Sequence, residues 1–266
     1  MKSTKKHTIL KAEHLTIGYQ TKKRRHVVAS DINLELHRGQ LVGLIGVNGI
    51  GKSTLLRTLT NVQNAIEGEV FINQKSLTQY KSLELAKELS LVLTEPVVAK
   101  HLTVSELVAL GRQPYTNWIG TLSEADKVIV SNALKLTNIE ALRYKYCHEL
   151  SDGQLQNVML ARALAQDTSL IVLDEPTTHL DMHNKAYILK LLQQLTRGTQ
   201  KTILFSSHEI DLSIQLCDQL IVMLNDKVIC NTPKNLIQQG VFSKLFPNNL
   251  IVFDEESQSF KINPQD

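Results

Sequence analysis

Short, almost uninterrupted apolar runs punctuate this chain: Leu41–Ile45, Leu89–Leu93, Leu170–Leu173, Thr202–Phe205 and Leu220–Leu224. Such runs suit strands covered on both faces, as in a parallel sheet flanked by helices. Between them the spacing changes to the helical period. Ile188, Leu191, Leu192 and Leu195 fall at i, i+3, i+4 and i+7, so one face of that segment is apolar. Ala125, Val128, Ile129, Ala133 and Leu136 repeat the pattern behind a Ser123-x-x-Asp126 start, and Thr103-x-x-Glu106 reads as a capping box opening another helix. Strands alternating with helical segments predict an α/β fold. The stretch from about Glu95 to Gln166 is expected to be mainly helical, a subdomain inserted between two core strands. The N-terminal part differs: Thr8–Ala12, Leu15–Tyr19, Ile32–Leu36 and Gly68–Ile72 are strand-like pieces separated by turns, which suggests an antiparallel β layer flanking the core. Asn225-Asp226 marks a hairpin turn leading into Lys227–Cys230.

Composition narrows the class without changing this picture. The 266 residues are 42% hydrophobic and 21% charged, enough apolar material for a sizeable core, which excludes disorder for most of the chain. The longest apolar stretches fall far short of the ~18–20 residues of a membrane-spanning helix. No apolar run follows the basic start, so no secretory signal is expected, and three scattered cysteines without a Cys-x-x-Cys pair argue for a cytosolic, reduced protein. A net charge of +3 is too balanced for a nucleic-acid binder. The densest basic cluster, Lys22-Lys-Arg-Arg25, reads as a solvated hairpin tip.

The strongest chemical signal is Gly46-Val-Asn48-Gly49-Ile-Gly51-Lys52-Ser53-Thr54, a full match to G-x-x-x-x-G-K-[ST] placed after a strand and before a helix. A glycine-rich turn there lets consecutive backbone N–H groups face inward around a phosphate, and the helix adds the positive end of its dipole. Lys52 would reach the β- and γ-phosphates of a nucleotide, and the Ser53 hydroxyl would ligate Mg²⁺. Leu170–Leu173 runs into Asp174-Glu175 and then Pro176. Asp174 is placed to hold the metal, and Glu175 to polarise the attacking water as a general base. Ser151-Asp-Gly153-Gln154 combines a capping box with a free glycine backbone at a helix start, a second anion-binding arrangement. Two such sites in one chain point to a nucleotide sandwiched between two subunits.

Taken together these residues resemble the ATP-binding subunit of ABC transporters, over about residues 8 to 255. The resemblance implies a single domain over 1–266: a P-loop NTPase core, a flanking antiparallel β layer, a helical subdomain at about 96–166 and a short C-terminal extension from about 233. Leu150–Gln154 is similar to the family's LSGGQ signature, with Asp152 in place of the first glycine. Pro176-Thr-Thr-His-Leu-Asp181 resembles the D-loop that crosses the dimer seam. His208 sits where the family's switch histidine contacts the γ-phosphate, and Tyr19 where an aromatic stacks on adenine. Glu95 stands at the position of the family's glutamine between core and helical subdomain, and is expected to face the metal. The resemblance thus implies ATP and Mg²⁺ as ligands, Ser151, Gly153 and Gln154 reaching the nucleotide of the other subunit, and a homodimer.

Leu102-Thr-Val-Ser-Glu-Leu-Val-Ala-Leu-Gly-Arg-Gln-Pro-Tyr115 resembles the importers of iron–siderophore complexes, haem and cobalamin. That implies a peripheral protein on the cytoplasmic face of the cell membrane, beneath a separate integral-membrane permease and indirectly served by an extracytoplasmic substrate-binding protein. The energising subunit of an exporter and a soluble assembly ATPase of the iron–sulfur cluster type are the alternatives. Tyr115 and Trp118 are candidates either for docking a partner or for packing on the helical subdomain. His179 and His183, four apart, could share a helix face as a zinc pair, but no third ligand accompanies them.

Overall fold

The apolar runs do pair edge to edge. A computed structural model describes residues 7–22, 24–93, 101–225, 227–246 and 250–263. In chain order its strands and helices are β1 (Thr8–Gln20), β2 (Arg25–His37), β3 (Leu41–Ile45), α1 (Lys52–Leu59), β4 (Glu67–Ile72), β5 (Lys75–Ser76), α2 (Ser82–Glu88) and β6 (Leu89–Val92). There follow α3 (Val104–Ala109), α4 (Glu124–Leu136), α5 (Asp152–Ala165), β7 (Leu170–Leu173), α6 (Met182–Thr199), β8 (Thr202–Ser207) and α7 (Ile210–Leu216). The chain ends with β9 (Gln219–Met223), β10 (Val228–Asn231), α8 (Pro233–Gln238), β11 (Ile251–Asp254) and β12 (Ser259–Ile262).

Six strands form the central sheet in the order β10-β9-β3-β8-β7-β6, parallel except for the edge strand β10. Its continuous apolar strands feed two cores because successive side chains leave opposite faces. Leu41 and Ile45, Ile171 and Leu173, Ile203 and Phe205, and Leu220 and Val222 pack with the helices. The residues between them, including Val42, Leu44, Val172, Leu204 and Ile221, pack towards the second sheet. That sheet is antiparallel, in the order β2-β1-β4-β5. Between β6 and β7 lie α3, α4 and α5, which pack on one another and whose buried faces join the helical side of the core. Each is opened by a hydroxyl cap: Thr103, Ser123 and Ser151 accept from the backbone N–H of Glu106, Asp126 and Gln154. Among the described residues no helix is long and apolar enough to cross a membrane.

Three details depart from the sequence reading. Thr8–Ala12 and Leu15–Tyr19 are one strand, since the polar interruption at Glu13-His14 is a bulge: the register with β2 shifts between Ala12 and Leu15, and His14 takes φ 47°. His179 lies outside α6, in a left-handed turn at φ 65°, so it shares no helix face with His183. The tail closes with an additional hairpin, β11 with β12. Phe253 and Phe260 from that hairpin stack edge-on at 5.1 Å and meet Phe242, while the Phe260 amide donates to Asp211 on α7 at 3.2 Å. At the β1–β2 tip, Thr21 N–H donates to the Arg24 carbonyl at 2.8 Å and Arg25 pairs with Glu67 at 2.6 Å. Lys23, Glu95 and Asp226 lie outside the described residues, and with Glu95 the expected metal contact at that position.

Candidate nucleotide site

β3 is fully buried and ends at Ile45, so the chain emerges from the middle of the sheet directly into the glycine-rich turn. Two glycines there are required by space. A Cβ on Gly46 would lie 2.9 Å from the Met223 carbonyl oxygen, and one on Gly51 would lie 2.2 Å from Val28 Cγ1. Gly51, at φ 111°, is also the residue from which α1 starts. Lys52 is therefore drawn inside and is only 5% exposed. Its Nζ donates to the Gly46 carbonyl at 3.1 Å and lies 3.4 Å from His208 Nδ1. Burial pushes the ammonium below its ordinary range, an effect that the Glu175 and Asp174 carboxylates only partly offset.

The acidic pair arrives from two strands away, at the end of β7. Asp174 N–H continues the sheet by donating to the Val92 carbonyl at 2.8 Å. Its Oδ1 accepts from Ser53 Oγ at 3.2 Å and from Ser206 Oγ at 2.7 Å. Glu175 adopts a left-handed backbone, φ 50°. Its Oε1 lies 2.7 Å from His208 Nε2 and its Oε2 accepts from Thr178 Oγ1 at 3.1 Å. Asn48, Gly49 and Gly51–Thr54, with Glu175 and His208, line an open cavity of ≈ 460 Å³. A cation, a glycine-rich turn, a carboxylate and an imidazole around one cavity suit a phosphoanhydride and an attacking water. The Ser53 hydroxyl and Asp174 carboxylate also form an all-oxygen donor pair that fits Mg²⁺, a small hard cation.

Tyr19 stands at the rim. Its hydroxyl is 3.1 Å from Thr54 Oγ1 on α1, and half of its surface is exposed. Ser151, Gly153 and Gln154 do not line the cavity; they open α5 elsewhere, on an exposed helix start whose Ser151 N–H donates to Gln154 Oε1 at 3.1 Å. A Cβ on Gly153 would touch Leu180 at 3.7 Å, so this helix start rests against the 176–181 segment. Two residues at the site were not singled out by the sequence. Ser206 is the first of two serines after an apolar run, and Thr178 lies within the 176–181 segment with no role of its own assigned, so only the fold brings them to the acids.

The family model described as "ABC transporter" matches residues 29–178. The iron(3+)-hydroxamate import ATP-binding protein of Bacillus subtilis is 35% identical over 83% of this chain and 80% of its own length. The ferric enterobactin transport ATP-binding protein of Escherichia coli is 31% identical over 92% of this chain and 90% of its own. A dimeric ATP-binding cassette solved in a post-hydrolysis state with ADP and Pi superposes with a TM-score of 0.72 at 26% identity, over 85% of this chain and 99% of that one. With the phosphate loop and its acids in place, the chain belongs to the ABC transporter family, as an ATP-binding cassette of the kind that hydrolyses ATP to drive transport.

Proposed function

We propose that this chain energises an importer of iron–siderophore or related iron chelates, with haem or cobalamin as the next ligand classes, working as a homodimer beneath a separate permease. One observation carries the dimer: the helix start at Ser151–Gln154 does not line the cavity that gathers Lys52, Ser53, Glu175 and His208. A second copy supplies it, so that ATP bridges Gly46–Thr54 of one subunit and Ser151, Gly153 and Gln154 of the other. Tyr19 then stacks on adenine, Lys52 holds the β- and γ-phosphates, and His208 contacts the γ-phosphate. Glu175 takes the proton of the attacking water, with its carboxylate aimed by Thr178 and His208. Ser53 and Asp174, joined by Glu95 on this reading, would hold Mg²⁺, which would offset charge on the phosphate oxygens.

The ligand class rests on the relatives, two of which are named for ferric or iron(3+) import or transport. Closure of the dimer moves the segment Leu102–Tyr115 against the permease, and hydrolysis reopens it. Purifying the chain from its native membrane tests this. A multispanning partner whose reconstituted vesicles take up an iron chelate on ATP supports the proposal, whereas a soluble scaffold as the sole stoichiometric partner would replace it with the assembly-ATPase reading.

A further inference from the structure

Asp174 and Glu175 follow one another at a strand end, where successive side chains ordinarily leave opposite faces. Both nevertheless reach the same site: Glu175 lines the cavity, and Asp174 accepts from Ser53, which lines it too. The chain achieves this by turning sharply at Glu175, whose φ of 50° is disfavoured for a residue with a Cβ. The turn needs something to hold it. On the neighbouring strand β8, the fully buried hydroxyl of Ser206 accepts from the Glu175 N–H at 2.8 Å and donates to Asp174 Oδ1 at 2.7 Å.

A serine hydroxyl has one proton, so these two bonds fix its direction: the proton faces Asp174 and a lone pair faces the Glu175 amide. The same Asp174 oxygen accepts from Ser53 of the phosphate loop at 3.2 Å. Ser207, next along the strand, is used differently, accepting from Glu209 N–H at 2.9 Å beyond His208. The two adjacent serines thus divide the work, one on the acids and one on the histidine turn.

We propose that Ser206 is a positioning residue for ATP hydrolysis. Its hydroxyl locks the Asp174 carboxylate against Ser53 and pins the left-handed turn that aims Glu175 into the cavity, so that metal affinity and turnover depend on it together. This deepens the nucleotide-hydrolysis reading above and rests on it.

The test compares the full chain with Ser206→Ala and Ser206→Thr. Three quantities are measured: ATPase kcat and KM, Mn²⁺ affinity of the ADP complex by electron paramagnetic resonance, and the unfolding midpoint. Ser206→Ala should lower kcat and Mn²⁺ affinity each by about tenfold, the usual cost of losing a residue that orients a metal ligand, with KM for ATP little changed. Ser206→Thr keeps the hydroxyl and should recover most of both. A folded Ser206→Ala chain with wild-type kcat and Mn²⁺ affinity would overturn the proposal. So would parallel losses of ATP affinity, Mn²⁺ affinity and unfolding midpoint that Ser206→Thr does not reverse. Should Ser206→Ala not fold, Ser206→Cys replaces it as a near-isosteric, weakly hydrogen-bonding variant, and wild-type turnover with wild-type Mn²⁺ affinity there would be equally fatal. Failure of the wild-type chain itself to bind or hydrolyse ATP would remove the parent reading, an outcome in which no variant takes part.

Discussion

His208 stands between a cation and a carboxylate, 3.4 Å from Lys52 Nζ and 2.7 Å from Glu175 Oε1. Lys52 itself is held by the Gly46 carbonyl, so a phosphate must compete with protein acceptors for an ammonium already taken out of water. Removing the cation therefore costs more than one surface contact. Lys52→Ala should reduce ATP turnover by about 10²–10³-fold, as for loss of other preorganised charge-stabilising groups, and near-normal ATPase activity in that variant would contradict the phosphate-loop assignment. Lys52 and Ser53 could be singled out in the sequence because the role proposed for them depends on contiguous backbone, which spacing records directly. Ser206 and Thr178 were not. Ser206 acquires meaning only from the pairing of β7 with β8, which sets Leu173 opposite Phe205 and brings the next residues, Asp174 and Ser206, side by side.

At the level of elements, local signals held and distant ones were silent. The Ser123-x-x-Asp126 cap was readable, being four residues long, and the Ser123 hydroxyl and amide do bind the Asp126 carboxylate. That the same carboxylate also pairs with Arg112 at 2.8 Å, both side chains buried, could not be read from residues 14 apart. Arg112 Nη1 goes on to the Ala165 carbonyl at 2.9 Å, so the pair ties the 110–115 turn to α4 and α5. The Ser123 groups, and then Arg112, lower the Asp126 carboxyl to about 2. Its contribution to stability is thus complete above about pH 4, its unfolded range, and is lost as the pH falls towards the folded value. Asp126→Asn should cost about 3 kcal/mol at neutral pH by leaving Arg112 buried and unpaired, with the gap to wild type shrinking below pH ~4. Urea unfolding at several pH values checks both parts; a gap that grows on acidification would refute the pairing argument.

That turn and the residues just after it present aromatic side chains. Tyr115 lies over the Arg112 guanidinium at 3.9 Å, whereas Trp118 is 95% exposed. Packing and docking can therefore be separated. Trp118→Ala and Tyr115→Ala should each weaken permease association by about 2 kcal/mol with basal ATPase retained, but only Tyr115→Ala should also lower the unfolding midpoint. Equal ATPase loss in the isolated subunit would assign these residues to packing alone.

The whole molecule places its chemistry at one end of a parallel sheet. β3 delivers the phosphate loop, β7 the acids, and β8 Ser206 and His208, all from C-terminal strand ends, where open α/β sheets form their crevices. The α/β order and the central sheet were legible because strands buried on both faces read as apolar runs. The closing hairpin was not, since its aromatic residues pair with partners set by tertiary contact. In one copy the helix start at Ser151–Gln154 stays away from the cavity, and the central claim is that another copy brings its own to it. Glu175→Gln keeps the side chain's size and removes the proposed base, so hydrolysis should stall and ATP should hold the two copies together. The decisive measurement is the molar mass of Glu175→Gln by light scattering, with saturating ATP and Mg²⁺ and again with ADP. A dimer with ATP that reverts to monomer with ADP is predicted; a monomer under both conditions would contradict the account.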